Sequence, residues 1–132
     1  MKKLLIVIII LAVLIVIGFT LRFIIGGDED SWIKDSKGEW IKHGNPASIP
    51  AEVREQQDAV TCAQDLYQQA KDSGTHFSSQ CLGNCGDYAV DIINVPRNAE
   101  DNKIENQCSD FREDRVSRFI ELDKDGNLIR IN

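Results

Sequence analysis

The first long pattern in the chain is an uninterrupted apolar segment over residues 4–25, which reads LLIVIIILAVLIVIGFTLRFII. Its only charged residue is Arg22. At about 1.5 Å of rise per residue, a helix of this length crosses the roughly 30 Å hydrocarbon core of a bilayer. The pattern therefore predicts a transmembrane signal-anchor helix over residues 1–25 and a polar linker over 26–31.

The flanks of this segment predict its orientation. Lys2 and Lys3 precede it, and since only Lys and Arg near the ends set orientation, they favour a cytoplasmic N-terminus, with Arg22 as weaker evidence for the opposite. Residues 32–132 are then an extracytoplasmic domain at the cell membrane. Cleavage of the leader stays open, although residues 24–27 (IIGG) match a signal-peptidase site poorly.

Two other kinds of leader fit the sequence less well. Residues 18–21 (GFTL) look like the processing site of a type IV pilin, but the apolar run precedes them instead of following. A lipoprotein needs a cysteine just after the apolar core, and the first cysteine is Cys62.

Two Trp-Ile-Lys triplets begin the domain, at residues 32–34 and 40–42, with a turn signal ending at Gly38 between them. This pattern predicts a short β-hairpin. Trp32 and Trp40 are candidate binding residues on an exposed ribbon. The alternative is that Trp32 lies at a membrane interface, or that both rings pack on the domain.

The remaining apolar periodicity predicts an α+β domain. Residues 48–73 carry apolar positions at helical spacing and end before Gly74, which suits a C-cap. Residues 88–95 (YAVDIINV) are rich in β-branched side chains and indicate a strand, while 119–122 and 128–131 flank a turn and indicate a hairpin. We expect one main helix packed on an antiparallel sheet of about three strands, with the hairpin N-terminal to it.

Charge narrows the range of partners. The whole chain has a net charge of −6, and without the leader cations Lys2, Lys3 and Arg22 it has 12 basic and 21 acidic side chains, a net charge of −9. Such a domain repels phosphate backbones, so we expect no nucleic-acid partner. The acidity favours cationic partners or serves solubility alone.

Four cysteines, Cys62, Cys81, Cys85 and Cys108, predict two disulfides in a domain outside the cytoplasm. Three pairings are possible. We favour Cys62–Cys81 with Cys85–Cys108, each closing a loop of about 20 residues and worth on the order of 3 kcal/mol. The alternatives are a Cys₄ zinc site, whose spacing lacks C-x₂-C pairs, and a redox-active Cys81/Cys85 pair, whose spacing is C-x₃-C.

A long polar loop between residues 96 and 115 holds a dense set of hydrogen-bonding side chains. They are a candidate binding surface, or they bond to the loop itself through the affinity of Asn and Asp for backbone groups. The set is Arg97, Asp101, Asn102, Asn106 and Gln107.

Several segments together resemble small membrane-anchored proteins of uncharacterised archaea that carry a cysteine-bearing outer domain. The likeness covers most of residues 32–125 and implies an outside location and disulfides, with no assigned activity. The segments are 38–46 (GEWIKHGNP), 96–97 (PR), 101–102 (DN), 106–108 (NQC) and 119–123 (FIELD).

No spacing of carboxylates singles out an acid–base pair, and neither His43 nor His76 has a nucleophile motif near it. We expect no cofactor and no metal site. The leading hypothesis is a non-catalytic binding or interaction module displayed at the cell surface, where a protein partner is possible. The alternative is an extracytoplasmic thiol–disulfide enzyme or another surface enzyme.

Overall fold

The computed structural model describes residues 2–25 and 30–132, and within its first helix it describes the side chains of residues 4 and 6–21. Most of the predicted linker therefore lies outside the described residues, as do the side chains of Lys2, Lys3 and Arg22 that carry the predicted orientation. The chain divides into two units. One contains the residues up to Ile33 and Ile41–Pro50, and the other contains Lys34–Trp40 and Ala51–Asn132.

Helix α1 spans Lys2–Ile25, and its described apolar side chains are exposed. Among the residues that the structure describes, no helix is long and apolar enough to cross a membrane. The predicted transmembrane helix is corrected accordingly.

Strands β1 (Ser31–Lys34) and β2 (Trp40–His43) form a two-stranded sheet, so the predicted hairpin is confirmed. The turn between them is closed by Asp35, whose carboxylate accepts the backbone N–H groups of Lys37 and Glu39 at 2.8 and 2.9 Å. Gly38 has a φ of 87°, a conformation that favours glycine.

Helix α2 spans Ala51–Asp72 and confirms the helix expected over residues 48–73. Residues three or four positions apart lie on its buried face, which packs on one side of the larger sheet. The helix is followed by Gly74, whose φ of 76° matches the predicted C-cap. The buried residues are Val53, Gln56, Ala59, Ala63 and Tyr67.

The larger sheet has four strands in sequence order: β3 (Gln80–Cys85), β4 (Tyr88–Ile92), β5 (Arg118–Leu122) and β6 (Leu128–Ile131). The α+β class is confirmed, but the predicted antiparallel sheet of about three strands is wrong, because β4 and β5 run parallel and one further strand is present. The chain leaves β4, crosses the sheet through two 3₁₀ turns and helix α3 (Ser109–Arg112), and enters β5 in the same direction.

The two faces of this sheet differ in chemistry. Val90, Ile92, Ile120 and Leu122 are fully buried in the core that α2 covers. Because side chains alternate along a strand, the residues between them lie on the opposite face. There a smaller cluster of Ala89, Cys108 and Val116 is buried under the crossing loop.

Candidate functional site

A row of polar side chains crosses the second face of the sheet from one edge to the other. Cys81 on β3 pairs with Asp91 on β4, Asp91 with Glu121 on β5, and Glu121 with Arg130 on β6. Directly paired residues of neighbouring strands point to the same face. A disulfide sulfur, two carboxyl groups and a guanidinium group therefore stand side by side opposite the α2 core.

Two disulfides are present, Cys62–Cys85 and Cys81–Cys108. Disulfide formation is confirmed, but the favoured pairing of Cys62 with Cys81 and of Cys85 with Cys108 is wrong. A β-bulge lies between Cys81 and Gly83, where Gly83 has a φ of 143°. The extra residue reverses the alternation of side chains along β3. Cys85 thus joins the core with Tyr88 and reaches α2, whereas Cys81 sits beside Asp91 and reaches the crossing loop.

Glu121 is the centre of the row and is only 6% exposed. Arg97 donates to it through Nη1 at 2.7 Å, and Arg130 donates through Nε and Nη2 at 3.0 and 3.1 Å. Hydrogen bonding to Glu121 raises the pKa of Arg97 above its usual range. Arg130 also lies over the Phe119 ring, 4.6 Å from its centroid. Both guanidinium groups are therefore held in place from below, while much of each side chain faces solvent.

Asp91 has a different environment from Glu121. Burial raises the pKa of its carboxyl to about 6, and the neighbouring Glu121 charge adds to this, opposed by the Cys108 N–H and by Arg97. The bond from the Cys108 backbone N–H, at 3.2 Å, is the hydrogen bond that the described part of the chain provides to this carboxyl. Asp91 is therefore a largely buried acid with few partners.

Both carboxylate oxygens of Asp101, by contrast, accept hydrogen bonds. Asp101 accepts the backbone N–H groups of Asn94 and Asn98 at 2.8 and 2.7 Å and the side-chain amide of Asn94 at 3.1 Å. Burial raises the pKa of Asp101, but these hydrogen bonds outweigh burial and hold it below its ordinary value. Asp101 and Asn98 also cap the first 3₁₀ turn reciprocally. Asp101 thus fixes the loop that carries Arg97.

These groups surround a cavity of about 130 Å³. Of the predicted binding surface, Arg97, Asp101, Asn106 and Gln107 line it. The sequence did not identify the charged side chains of the sheet and the two aromatic rings that also line this cavity. A charged side chain inside a predicted strand is the signal that could have found Asp91 in residues 88–95, Glu121 in 119–122 and Arg130 in 128–131. The missed residues are Asp91, Glu121, Arg130, Phe111 and Phe119.

The other predicted surface residues lie elsewhere. Asn102 is exposed at the end of a 3₁₀ turn and is not part of the cavity wall. The Trp32 indole N–H donates to the Ser48 carbonyl at 3.0 Å. Trp40 has the Lys34 ammonium 5.3 Å from its ring centroid. Trp40 is not among the residues that line the cavity beside Arg97.

No protein-family model, curated protein or solved structure matches this chain. The resemblance to archaeal membrane-anchored proteins consequently stays a prediction. Within the described residues, one group of side chains has metal-ligand spacing, with the potential ligand atoms of Cys81, Asp91 and Cys108 within 4.8 Å of one another. Its two sulfurs are bonded to each other, so the oxidised protein offers no thiolate there.

Proposed function

We propose that the disulfide-bonded domain is an extracytoplasmic binding module for a small zwitterion, such as a free amino acid. The single observation that carries this is the placement of the weakly partnered Asp91 carboxyl and two fixed guanidinium groups around one cavity of about 130 Å³. Two disulfides support an oxidising compartment, since such bonds persist mainly outside the cytoplasm.

The charged side chains of the cavity favour a ligand that carries both a positive and a negative group. Its wall holds the guanidinium groups of Arg97 and Arg130 and the carboxyl groups of Asp91, Asp101 and Glu121. The carboxylates would repel a ligand that carries only negative charge, and the guanidinium groups would repel one that carries only positive charge. A zwitterion can place its ammonium group at Asp91 and its carboxylate at the arginines, so that each charge meets its opposite.

The arginines suit this role because their geometry is fixed before a ligand arrives. Glu121 anchors both of them, and the Phe119 ring supports Arg130. Pre-ordered side chains lose less conformational entropy on binding, which leaves more of the interaction energy for affinity. Phe119 and Phe111, packed edge to face with centroids 5.6 Å apart, provide an apolar wall for a short side chain.

The test is a ¹⁵N NMR titration of the oxidised full chain at pH 7.5 with L-alanine, propylammonium and propionate. We expect shifts at the cavity with L-alanine and at least about tenfold weaker binding of either singly charged compound, since one lost charged contact is worth about 1.4 kcal/mol or more. Asp91→Asn and Arg97→Gln should each weaken L-alanine binding by about tenfold. Asp65→Asn, on the exposed side of α2, is the matched control and should bind normally.

Two results would contradict the proposal. One is binding of propionate or propylammonium as tight as that of L-alanine. The other is L-alanine binding that Asp91→Asn leaves unchanged.

A further inference from the structure

The Cys81–Cys108 disulfide is asymmetric in its access to solvent. Cys81 is exposed on β3, whereas Cys108 is 1% exposed beneath the crossing loop. A thiolate that attacks a disulfide must approach one sulfur along the bond and expel the other. For this bond the accessible sulfur is that of Cys81, so Cys108 is the leaving group.

The surroundings of the Cys108 sulfur are poor for a thiolate. The carbonyl oxygens of Gly83 and Val90 lie 3.6 and 3.5 Å from it, and the Asp91 carboxyl lies within 4.8 Å of both sulfurs. Oxygen lone pairs and burial both disfavour a negative sulfur. The same two carbonyls would accept a hydrogen bond from a Cys108 thiol. The site therefore favours a leaving group that acquires a proton as it departs.

We propose that Cys81–Cys108 is an exchangeable disulfide, in which Cys81 Sγ takes the attack of a partner thiol and the Asp91 carboxyl protonates the departing Cys108 sulfur. This inference goes beyond the binding function proposed above, because it concerns a covalent reaction of the protein with a dithiol partner. Asp91 is the proton donor, and the Sγ atoms of Cys81 and Cys108 are the reacting atoms.

The atoms and electrons of the exchange balance as follows. The partner's thiolate forms a bond to Cys81 Sγ, the Cys81–Cys108 bond breaks, and its electron pair leaves with Cys108. Asp91 transfers its proton to that sulfur and becomes a carboxylate. The partner's second thiolate then attacks the partner sulfur bonded to Cys81 and expels Cys81 as a thiolate. Solvent returns one proton to Cys81 and one to Asp91, replacing the two protons that the partner thiols released. The partner dithiol is thereby oxidised to a disulfide, and both cysteines end as thiols.

The groups around Asp91 support its role as an acid near neutral pH. Burial and the adjacent Glu121 carboxylate raise the pKa of Asp91 to about 6, against the opposing effects of the Cys108 N–H and Arg97. An acid is most effective when its pKa lies near the working pH. The carboxyl is therefore protonated to a useful extent in mildly acidic and neutral solution.

The second disulfide is an internal reference with different chemistry. A surface groove beside Cys62–Cys85 is lined by Glu55, Asp58 and Asp87. Hydrogen bonds from Ser117 hold the pKa of Asp87 below its ordinary value, so Asp87 stays ionised at neutral pH. Asp87 therefore supplies no proton to a departing sulfur, so we expect slower exchange at Cys62–Cys85.

The experiment treats the oxidised full chain with 2-mercaptoethanol, an uncharged thiol, between pH 5 and 8, followed by acid quenching, alkylation and peptide mass mapping. Chymotryptic cleavage after Leu82 separates the Cys81 and Cys85 peptides. We expect the 2-mercaptoethanol adduct on Cys81. Rates corrected for the thiolate fraction of 2-mercaptoethanol should be constant below about pH 6 and fall above it, as Asp91 loses its proton. In Asp91→Asn, the rate at pH 6 should fall by about 10²-fold and the break should vanish.

Asp91→Asn keeps an oxygen that can accept the Cys108 N–H. The pH profile of the wild-type protein also tests the proposal, whether or not the variant folds. An adduct on Cys108, an unchanged rate in Asp91→Asn, or a Cys62–Cys85 bond that exchanges equally fast with the same break would overturn the proposal. The two proposals fail separately, because 2-mercaptoethanol carries neither an ammonium nor a carboxylate group and the L-alanine titration uses protein with both disulfides intact.

Discussion

Replacing Asp91 with Asn should stabilise the folded domain by about 2 kcal/mol at pH 7.5 and leave its stability nearly unchanged at pH 3.5. In the folded protein the pKa of Asp91 lies at about 6, above the ordinary value of 3.8. That difference corresponds to about 3 kcal/mol for a fully buried group, which partial access to solvent reduces.

The direction of the effect follows from proton linkage. The folded protein binds the Asp91 proton more tightly than the unfolded chain does, so this stability is present below about pH 4. It is lost as the pH rises towards and through about 6. Asparagine carries no charge at either pH and avoids the loss. Urea denaturation at the two pH values measures the difference, with Asp65→Asn as the control, and a destabilised Asp91→Asn at pH 7.5 would contradict the buried-acid assignment.

Removing the Cys62–Cys85 disulfide by the double substitution Cys62→Ala/Cys85→Ala should lower the free energy of unfolding by about 3 kcal/mol. The bond joins residues 23 positions apart. In the chain-entropy model a loop of this size restricts the unfolded chain by that amount. The bond also ties α2 to β3 at the edge of the core. Urea denaturation under non-reducing conditions gives the value.

A second double variant tests the pairing itself. Cys62→Ala/Cys81→Ala removes one partner from each disulfide, so Cys85 and Cys108 should both titrate as free thiols in the denatured protein. Cys62→Ala/Cys85→Ala should show none. The opposite outcome, with no free thiol in Cys62→Ala/Cys81→Ala, would restore the pairing favoured from the sequence, Cys62–Cys81 with Cys85–Cys108.

The parts of the fold that depend on local chemistry could be predicted from the sequence. Helix α2 follows from apolar spacing and a C-terminal glycine. The turn between β5 and β6 follows from Asp123, because Asp side chains readily bond to nearby backbone groups. Its carboxylate accepts the backbone N–H groups of Asp125 and Asn127 at 2.9 and 2.8 Å. Such signals are contained in a few neighbouring residues, so they can be recognised without knowledge of the tertiary structure.

The parts of the fold that depend on contacts between distant residues could not be predicted from the sequence. Strand β3 reads QCLGNC and lacks alternation and β-branched residues, so its strand conformation comes from pairing with β4. The bulge at Gly83 decides which face each cysteine takes, and no spacing rule reveals it. The parallel β4–β5 pairing depends on the path of the crossing loop.

The same limit applies to the site. Arg97 and Asp101 were found because polar side chains are dense in one loop. Asp91, Glu121 and Arg130 come from three separate strands, and only the sheet register places them in one row. A charged residue within an apolar strand is a usable signal, but its neighbours become known only with the register.

The most direct test of the zwitterion site is a ¹³C NMR titration of the Asp91 carboxyl in the oxidised full chain, with and without saturating L-alanine. We predict a pKa near 6 for the free protein, and a lower value with L-alanine, because an ammonium group beside Asp91 stabilises its carboxylate. Propionate should not lower it. An Asp91 pKa at its ordinary value, or one that L-alanine leaves unchanged, would contradict the assignment of this cavity as the binding site.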